Sequence, residues 1–237
     1  MNYKVNGFDI IIPVFNEGEN IIKQIEYLKQ SSVNINNIII CYDFEEDTSV
    51  KAIQNSQFSN DQNILLVKNT LNGPCEAIKA GIQNLKSNSV IILPADDFYN
   101  GKILDLMYRK FLDGYDIICP SRFIKGGIMK NCPLLKYLIT IFVAHTLYYL
   151  AKIKTKDPTN GFKMFSKKVL DEIPITSKIG FAYGLELLVK ANKTNYKITE
   201  VPCKWIERTD RKSTFKIFKW SIAYLKWYFL AFYFLFT

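Results

Sequence analysis

Phe8-Asp9-Ile10-Ile11-Ile12-Pro13, followed at once by Val14-Phe15-Asn16-Glu17, is too short for a helix and too evenly apolar for a strand with one wet face. It reads as a strand covered on both sides. From Glu19 to Gln30 the period changes, with Ile21, Ile22, Ile25 and Leu28 on one helical face. The alternation then repeats: a strand at Asn37–Tyr42, a helix near Thr48–Asn55, a strand at Asn63–Lys68, a helix at Pro74–Leu85 and a strand at Ser89–Leu93. A helix around Lys102–Leu112 and a strand at Tyr115–Pro120 follow. Such β-α-β order predicts an α/β fold with a mainly parallel central sheet flanked by helices.

The 237 residues leave room for one large domain, and with 49% hydrophobic residues and only 11 Gly and 8 Pro the chain can bury a sizeable core. Five scattered cysteines without a CxxC pair, and the single His145, argue against a structural zinc site or a disulfide framework. No early apolar run is long enough for a signal-peptide core, so the body of the protein is expected on the cytoplasmic side. Residues 1–120 carry 10 basic and 15 acidic side chains, whereas residues 121–237 carry 21 basic and 7 acidic. The second half therefore suits an anionic partner. Its apolar character favours a membrane surface or a phosphorylated lipid over nucleic acid.

Two stretches in that half are unusually apolar: Leu134–Ala151, broken by Lys136 and His145, and Ile217–Phe236, broken by Lys219 and Lys226. Each approaches the roughly 20 residues of a bilayer span, but lysines inside them favour helices lying in the interface. Lys212, Lys216 and Lys219 share one helical face ahead of an uncharged aromatic end. Core helices with a dimer contact are the alternative, so homo-oligomerisation stays open.

Ligands of open parallel sheets sit at the carboxyl ends of strands. Here those ends bear Pro13–Glu17, Asp43–Asp47, Asn72-Gly73-Pro74 and Pro94–Asp97. Converging carboxylates suit a hard cation, Mg2+ or Mn2+, with Asp96 and Asp97 the foremost ligands; the alternative for Asp97 is a turn or helix cap. Asp43 could read the N–H groups of a nucleobase, while Glu45, Glu46 and Asp47 look like a solvated turn. The absence of GxGxxG after the first strand, and of GxxxxGK[ST] anywhere, argues against a dinucleotide dehydrogenase and a P-loop enzyme. In the basic half, Asp157 sits in the turn Asp157–Lys163, and Glu186 is either a site carboxylate or a core-edge group paired with a lysine. Arg208, Arg211 and Lys212 could clamp a diphosphate.

In this order the segments resemble the family 2 glycosyltransferases of GT-A fold, and among them the dolichyl- and polyprenyl-phosphate sugar synthases. Ile11-Ile12-Pro13-Val14-Phe15-Asn16-Glu17 with Asn20-Ile21 is similar to the family's IPxxNExxNI; Asp43 with Asp47 is similar to DDxSxDxT; Pro94-Ala95-Asp96 stands in the place of DxD. Gly73 through Gly81, Ser121-Arg122 with Gly126-Gly127, Asp157 through Lys163, Glu186, Glu200-Val201-Pro202 and Arg208 through Ser213 follow in family order. Pro94 replaces the first acid of DxD and Tyr42 the first acid of the DD pair. The resemblance implies a GT-A domain over residues 1–215, its halves 1–120 for nucleotide and metal and 121–215 for acceptor, followed by a membrane-associated helix at 216–237.

It further implies transfer from a nucleotide-diphosphate sugar, a UDP- or GDP-sugar, at the cytoplasmic face of a membrane. Pro13, Phe15, Glu17, Asp43 and Gly73, with Arg208, Arg211 and Lys212, would bind the donor; Asp96 with Asp97 would hold the metal. For a lipid-phosphate acceptor, Arg122 and Lys125 would position the phosphate; for a sugar hydroxyl, Asp157 or Glu186 would be the base. Three readings stand beside these: a transferase building surface polysaccharide or glycolipid, a nucleotidyltransferase, which would want a basic Gly-rich loop where Val14–Glu17 stands, and a membrane-bound binding protein on an inactive transferase fold.

Overall fold

The computed structural model describes residues 7–32, 34–194, 196–207 and 217–236, with side chains of the last stretch from residue 222 onward. Strands β1 (Phe8–Pro13), β2 (Ile35–Tyr42), β3 (Ile64–Lys68) and β4 (Ser89–Ile92) alternate with helices α1 (Asn20–Ser31), α2 (Thr48–Gln54) and α3 (Pro74–Gln83). A 3-10 turn at Gly101–Ile103 leads into α4 (Leu104–Leu112), then come β5 (Ile117–Ser121), β6 (Ile128–Lys130) and α5 (Leu134–Tyr149). The remainder is β7 (Lys163–Ser166), α6 (Lys167–Glu172), α7 (Tyr183–Lys193), β8 (Ile198–Pro202), β9 (Lys204–Ile206) and α8 (Ile217–Tyr233).

Seven strands form one sheet in the order β3-β2-β1-β4-β7-β5-β8, parallel throughout except β7, which runs antiparallel to both β4 and β5. β6 and β9 pair as a small parallel ribbon. The alternation of side chains along β1 explains the layers. Ile10 and Ile12 join Ile21, Ile25 and Leu28 of α1 and Leu104 and Met107 of α4, whereas Ile11 joins Ala77 and Ile78 of α3 and Leu187 and Leu188 of α7. All three isoleucines are fully buried, each worth about 1.5–3 kcal/mol of transfer free energy. Close layering also needs Gly81, where a Cβ would stand 2.8 Å from Cys41 Sγ and 3.0 Å from Ile11.

Asp9, the one acid within the first strand, is fully buried at the edge away from the carboxyl ends. It accepts hydrogen bonds from Asn37 Nδ2 (2.6 Å), the Lys86 and Ser87 backbone N–H groups (2.7 and 2.9 Å) and Ser87 Oγ (2.8 Å). The cluster ties β1 to β2 and to the turn before β4.

Both apolar stretches are helical. α7 is buried on two sides: beyond the face it turns to the sheet, Leu185 and Val189 pack with Leu147 of α5 and Trp227 and Ala231 of α8. Trp227 Nε1 donates to Ser177 Oγ (2.8 Å), and Tyr228 Oη donates to Thr146 Oγ1 (3.0 Å). The helix expected as a separate terminal segment is thus packed into the domain along one face. Its other face exposes Ile222, Leu225, Phe229 and Tyr233, and α5 exposes Leu134, Leu135, Leu138, Ile139, Phe142 and Tyr149 at helical spacing. Among the described residues no helix is long and apolar enough to cross a membrane.

Candidate functional site

Because the sheet is parallel around β7, the loops after β1, β2, β3, β4, β5 and β8 and the turn before β7 converge on one edge. At its β1–β2 corner, Pro13 ends β1 and the next residues are fastened to the start of α2. Asn16, at φ 55°, donates its backbone N–H to Asp47 Oδ2 (3.0 Å) and accepts from Thr48 N at Oδ1 (3.2 Å); Glu17 N donates to Ser49 Oγ (2.9 Å). Asp47 also accepts from Ser49 N (2.8 Å) as the cap of α2 and is fully buried. Its expected place in a solvated turn is therefore corrected; Glu45 and Glu46 are exposed, with Glu45 paired to Lys68 (2.7 Å). The cap is needed because the first turn of α2 presents N–H groups that no helical carbonyl can reach.

Phe15 is 57% exposed and meets Phe44 edge-on at 5.6 Å between centroids. Beside this pair the half-buried Asp43 accepts from Asn69 Nδ2 and from the Gly73 backbone N–H, both at 2.8 Å. Gly73 has φ +96°, a conformation few other residues adopt. The Asp43 carboxylate oxygens each have a further lone pair to offer. An aromatic wall next to a fixed carboxylate can take a flat heterocycle that carries N–H donors.

In the loop after β4, Asp97 accepts from the backbone N–H groups of Tyr99 (2.9 Å) and Asn100 (3.0 Å) and from Asn100 Nδ2 (2.6 Å). Burial holds its carboxyl above the usual range despite those bonds. Asp97 is thus committed to the turn, the alternative weighed for it; Asp96 is half-buried beside it. The loop is tied to β9 through Asn100, which donates to Lys204 O (2.7 Å) and accepts from Lys204 N (2.9 Å). Among the described residues no three His, Cys, Asp or Glu side chains gather as a metal site. One carboxylate fits a hard cation only where a substrate brings further oxygens, as with metal ions held by one or two carboxylates and phosphates.

Across the edge, Arg122 follows β5 and its guanidinium grips Asp157 from two nitrogens, Nε to Oδ2 (2.7 Å) and Nη2 to Oδ1 (2.6 Å), while its backbone N–H donates to Oδ2 (2.9 Å). The Asp157 side chain has no exposure and that of Arg122 only 8%. Arg122 also lies 5.9 Å from the Trp205 ring, whose surroundings include Lys136 at 4.6 Å; Lys136 pairs with Glu207 at 2.8 Å. In the sequence Lys136 is only a break in an apolar run; in the fold it is held by Glu207 and the Trp205 ring. Lys125 is exposed on the loop between β5 and β6.

Glu186 on α7 is fully buried and accepts from Thr176 N, Thr176 Oγ1 and Ser177 N (each 2.7 Å) and from Lys190 Nζ (2.5 Å). Burial pushes its carboxyl up, but these bonds outweigh that and hold it below the ordinary Glu range. Of its two readings, the lysine-paired group is the one found. Both carboxylates expected as a base for a hydroxyl acceptor are engaged in buried bonds: Asp157 with Arg122, and Glu186 with the loop before α7. His145 is exposed on α5, its Nδ1 2.9 Å from Ile141 O. Arg208, Arg211, Lys212 and Lys216, and the side chain of Lys219, lie outside the described residues.

A mostly parallel sheet between helical layers, with one inserted antiparallel strand, is the architecture of the GT-A glycosyltransferases. The chain belongs to glycosyl transferase family 2, whose family model matches residues 9–174. It is 27% identical over 199 residues to the dolichol-phosphate mannosyltransferase of Pyrococcus furiosus, a match covering 81% of this chain and 54% of that protein. The chain thus spans about half the length of that relative. It is 21% identical over 228 residues to the polyprenol monophosphomannose synthase of Mycolicibacterium smegmatis, covering 90% and 86% of the two chains. Among solved structures it is similar in fold to glucosyl-3-phosphoglycerate synthase of Mycobacterium tuberculosis in complex with Mn2+, UDP and phosphoglyceric acid, with TM-score 0.68 and 13% identity over 97% of this chain and 78% of the other.

Proposed function

We propose that this protein transfers a sugar from a nucleotide-diphosphate sugar to a membrane-bound lipid phosphate of the polyprenyl type. The observation that carries the acceptor is the commitment of Asp157 and Glu186 to buried bonds. A sugar hydroxyl needs a base to take its proton, whereas a phosphate is already ionised and can attack the anomeric carbon directly. The names of the two curated relatives, both prenol-phosphate mannose enzymes, agree with it.

Asp43 would accept from the base, with Phe15 and Phe44 against its ring and Pro13, Glu17 and Gly73 framing the pocket. Asp96 would hold Mg2+ or Mn2+ together with the donor diphosphate, and the fold neighbour with Mn2+ and UDP supports a divalent ion. When bound, the cation offsets charge on the departing nucleoside diphosphate. Arg208 with Arg211 or Lys212 would grip that diphosphate from the stretch after β9. Arg122 turns Nε and Nη2 to Asp157, so Nη1 is the end it offers the acceptor phosphate, assisted by Lys125. The exposed apolar faces of α5 and α8 would rest in the membrane interface, where the acceptor resides.

Calorimetric titration with UDP and GDP, with and without Mn2+, tests the donor half beside an Asp96→Asn variant. Metal-dependent binding of one nucleotide, lost in the variant, is expected; binding of neither would leave the inactive-fold reading, which Pro94 in the DxD place favours. Product analysis with polyprenyl phosphate against saccharide acceptors tests the other half, and transfer to the saccharide alone refutes it. Co-sedimentation with vesicles containing anionic lipid should fall on paired Leu138→Glu and Phe142→Glu substitution with thermal stability unchanged; equal sedimentation would remove α5 from the membrane contact.

A further inference from the structure

The buried face of α1 is Ile21, Gln24, Ile25 and Leu28, so an amide stands where the helical period calls for an apolar side chain. Gln24 is fully buried. Its Nε2 donates to Pro94 O (2.8 Å) and lies 3.5 Å from Asp97 O, the two carbonyls that bracket Asp96. Its Oε1 is buried and has no hydrogen-bond partner among the described residues. A partnerless buried oxygen is destabilising, and an apolar residue of the same length would fill the volume without it. Pro94 O also accepts from Asp97 N (3.3 Å), so the loop's own turn would survive loss of the amide. Packing alone therefore does not account for glutamine here.

One turn further along the same helix, Tyr27 Oη accepts from Gly101 N (2.9 Å), so α1 holds both ends of the segment that carries Asp96. We propose that Gln24 is a positioning residue: through Pro94 O and Asp97 O it fixes the main chain on either side of Asp96 and so sets where that carboxylate points. The inference rests on the reading of Asp96 as the metal ligand given above. With no cluster of three ligating side chains among the described residues, orientation of Asp96 by the backbone matters more than it would in a site with three ligands.

The test compares wild type, Gln24→Met, Gln24→Leu and Asp96→Asn. Three quantities are measured: thermal stability of the metal-free protein, amide hydrogen exchange over residues 95–100 without metal, and Mn2+ titration in the presence of UDP. Both Gln24 variants should melt at or above the wild-type temperature, exchange the Asp97–Asn100 amides faster, and lose about 10-fold or more in apparent Mn2+ affinity. UDP binding without metal should not change. Wild-type exchange with wild-type Mn2+ affinity would overturn the proposal, as would failure to fold or a lowered melting temperature, since those mark a packing role. If wild type shows no Mn2+-dependent binding, or Asp96→Asn leaves it intact, the metal reading fails instead. The exchange and melting measurements then still decide whether Gln24 holds the loop.

Discussion

Replacing Asp157 by Leu removes the carboxylate that, among the described residues, pairs with the Arg122 guanidinium. That side chain is 8% exposed, so water cannot take over the lost bonds. Among the described residues, Nε and the Arg122 backbone N–H are then left without an acceptor, and Nη2 keeps only Thr159 Oγ1 at 3.4 Å. Removing one partner of a buried ion pair costs about 3–5 kcal/mol, because the remaining charge stays desolvated. For a domain of this size that corresponds to a melting temperature lower by roughly 6–20 °C. The pair itself is worth far less than its rupture, so Asp157→Leu combined with Arg122→Met should recover most of the loss. Thermal and urea unfolding of the two single variants and the double variant measure this directly. If Asp157→Leu cost less than about 1 kcal/mol while turnover vanished, Asp157 would be a catalytic base after all, and the argument for an ionised acceptor would fall with it.

A pH series probes Glu186. Its folded pKa lies below the ordinary Glu value of 4.5, so its stabilisation is complete above that value and disappears as pH falls through the lowered one. Wild type should thus exceed Glu186→Gln in melting temperature at pH 7, with the gap closing toward pH 3 as monitored by circular dichroism; a constant gap would contradict the assignment. Trp227→Ala should cost about 3–5 kcal/mol in urea unfolding, since the ring is 4% exposed, bonds Ser177 Oγ and lies under Lys190 Nζ at 5.1 Å. A cost below about 1 kcal/mol would mean that α8 is a detachable appendage.

The first five strands were legible because each carries a short, mostly apolar run, and in Phe8–Pro13 and Ser89–Ile92 that run is buried on both faces. The strand-end positions of Asp43 and Asp96 followed from the same runs. β7 was not legible: Lys163-Met164-Phe165-Ser166 is four residues long and opens on a charge. It is fixed by its neighbours, pairing with both β4 and β5 across the sheet. The same limit applies to single side chains. Asp47 follows two exposed acids in the chain yet is buried, because its partners, Asn16 and Ser49, come from a loop 31 residues away and from the helix it caps.

Residue type and period by themselves determined the α/β class, the parallel half of the sheet, the strand-end placement of the candidate site residues and the two apolar helices. Tertiary structure alone decided which charged groups neutralise one another in buried bonds. Asp157, Glu186 and Asp97 look equivalent to Asp43 and Asp96 in sequence, since a carboxylate's role depends on the donors that approach it from distant segments. Local pattern carries no record of those approaches: Arg122 reaches Asp157 across 35 residues, and Gln24 reaches Pro94 across 70.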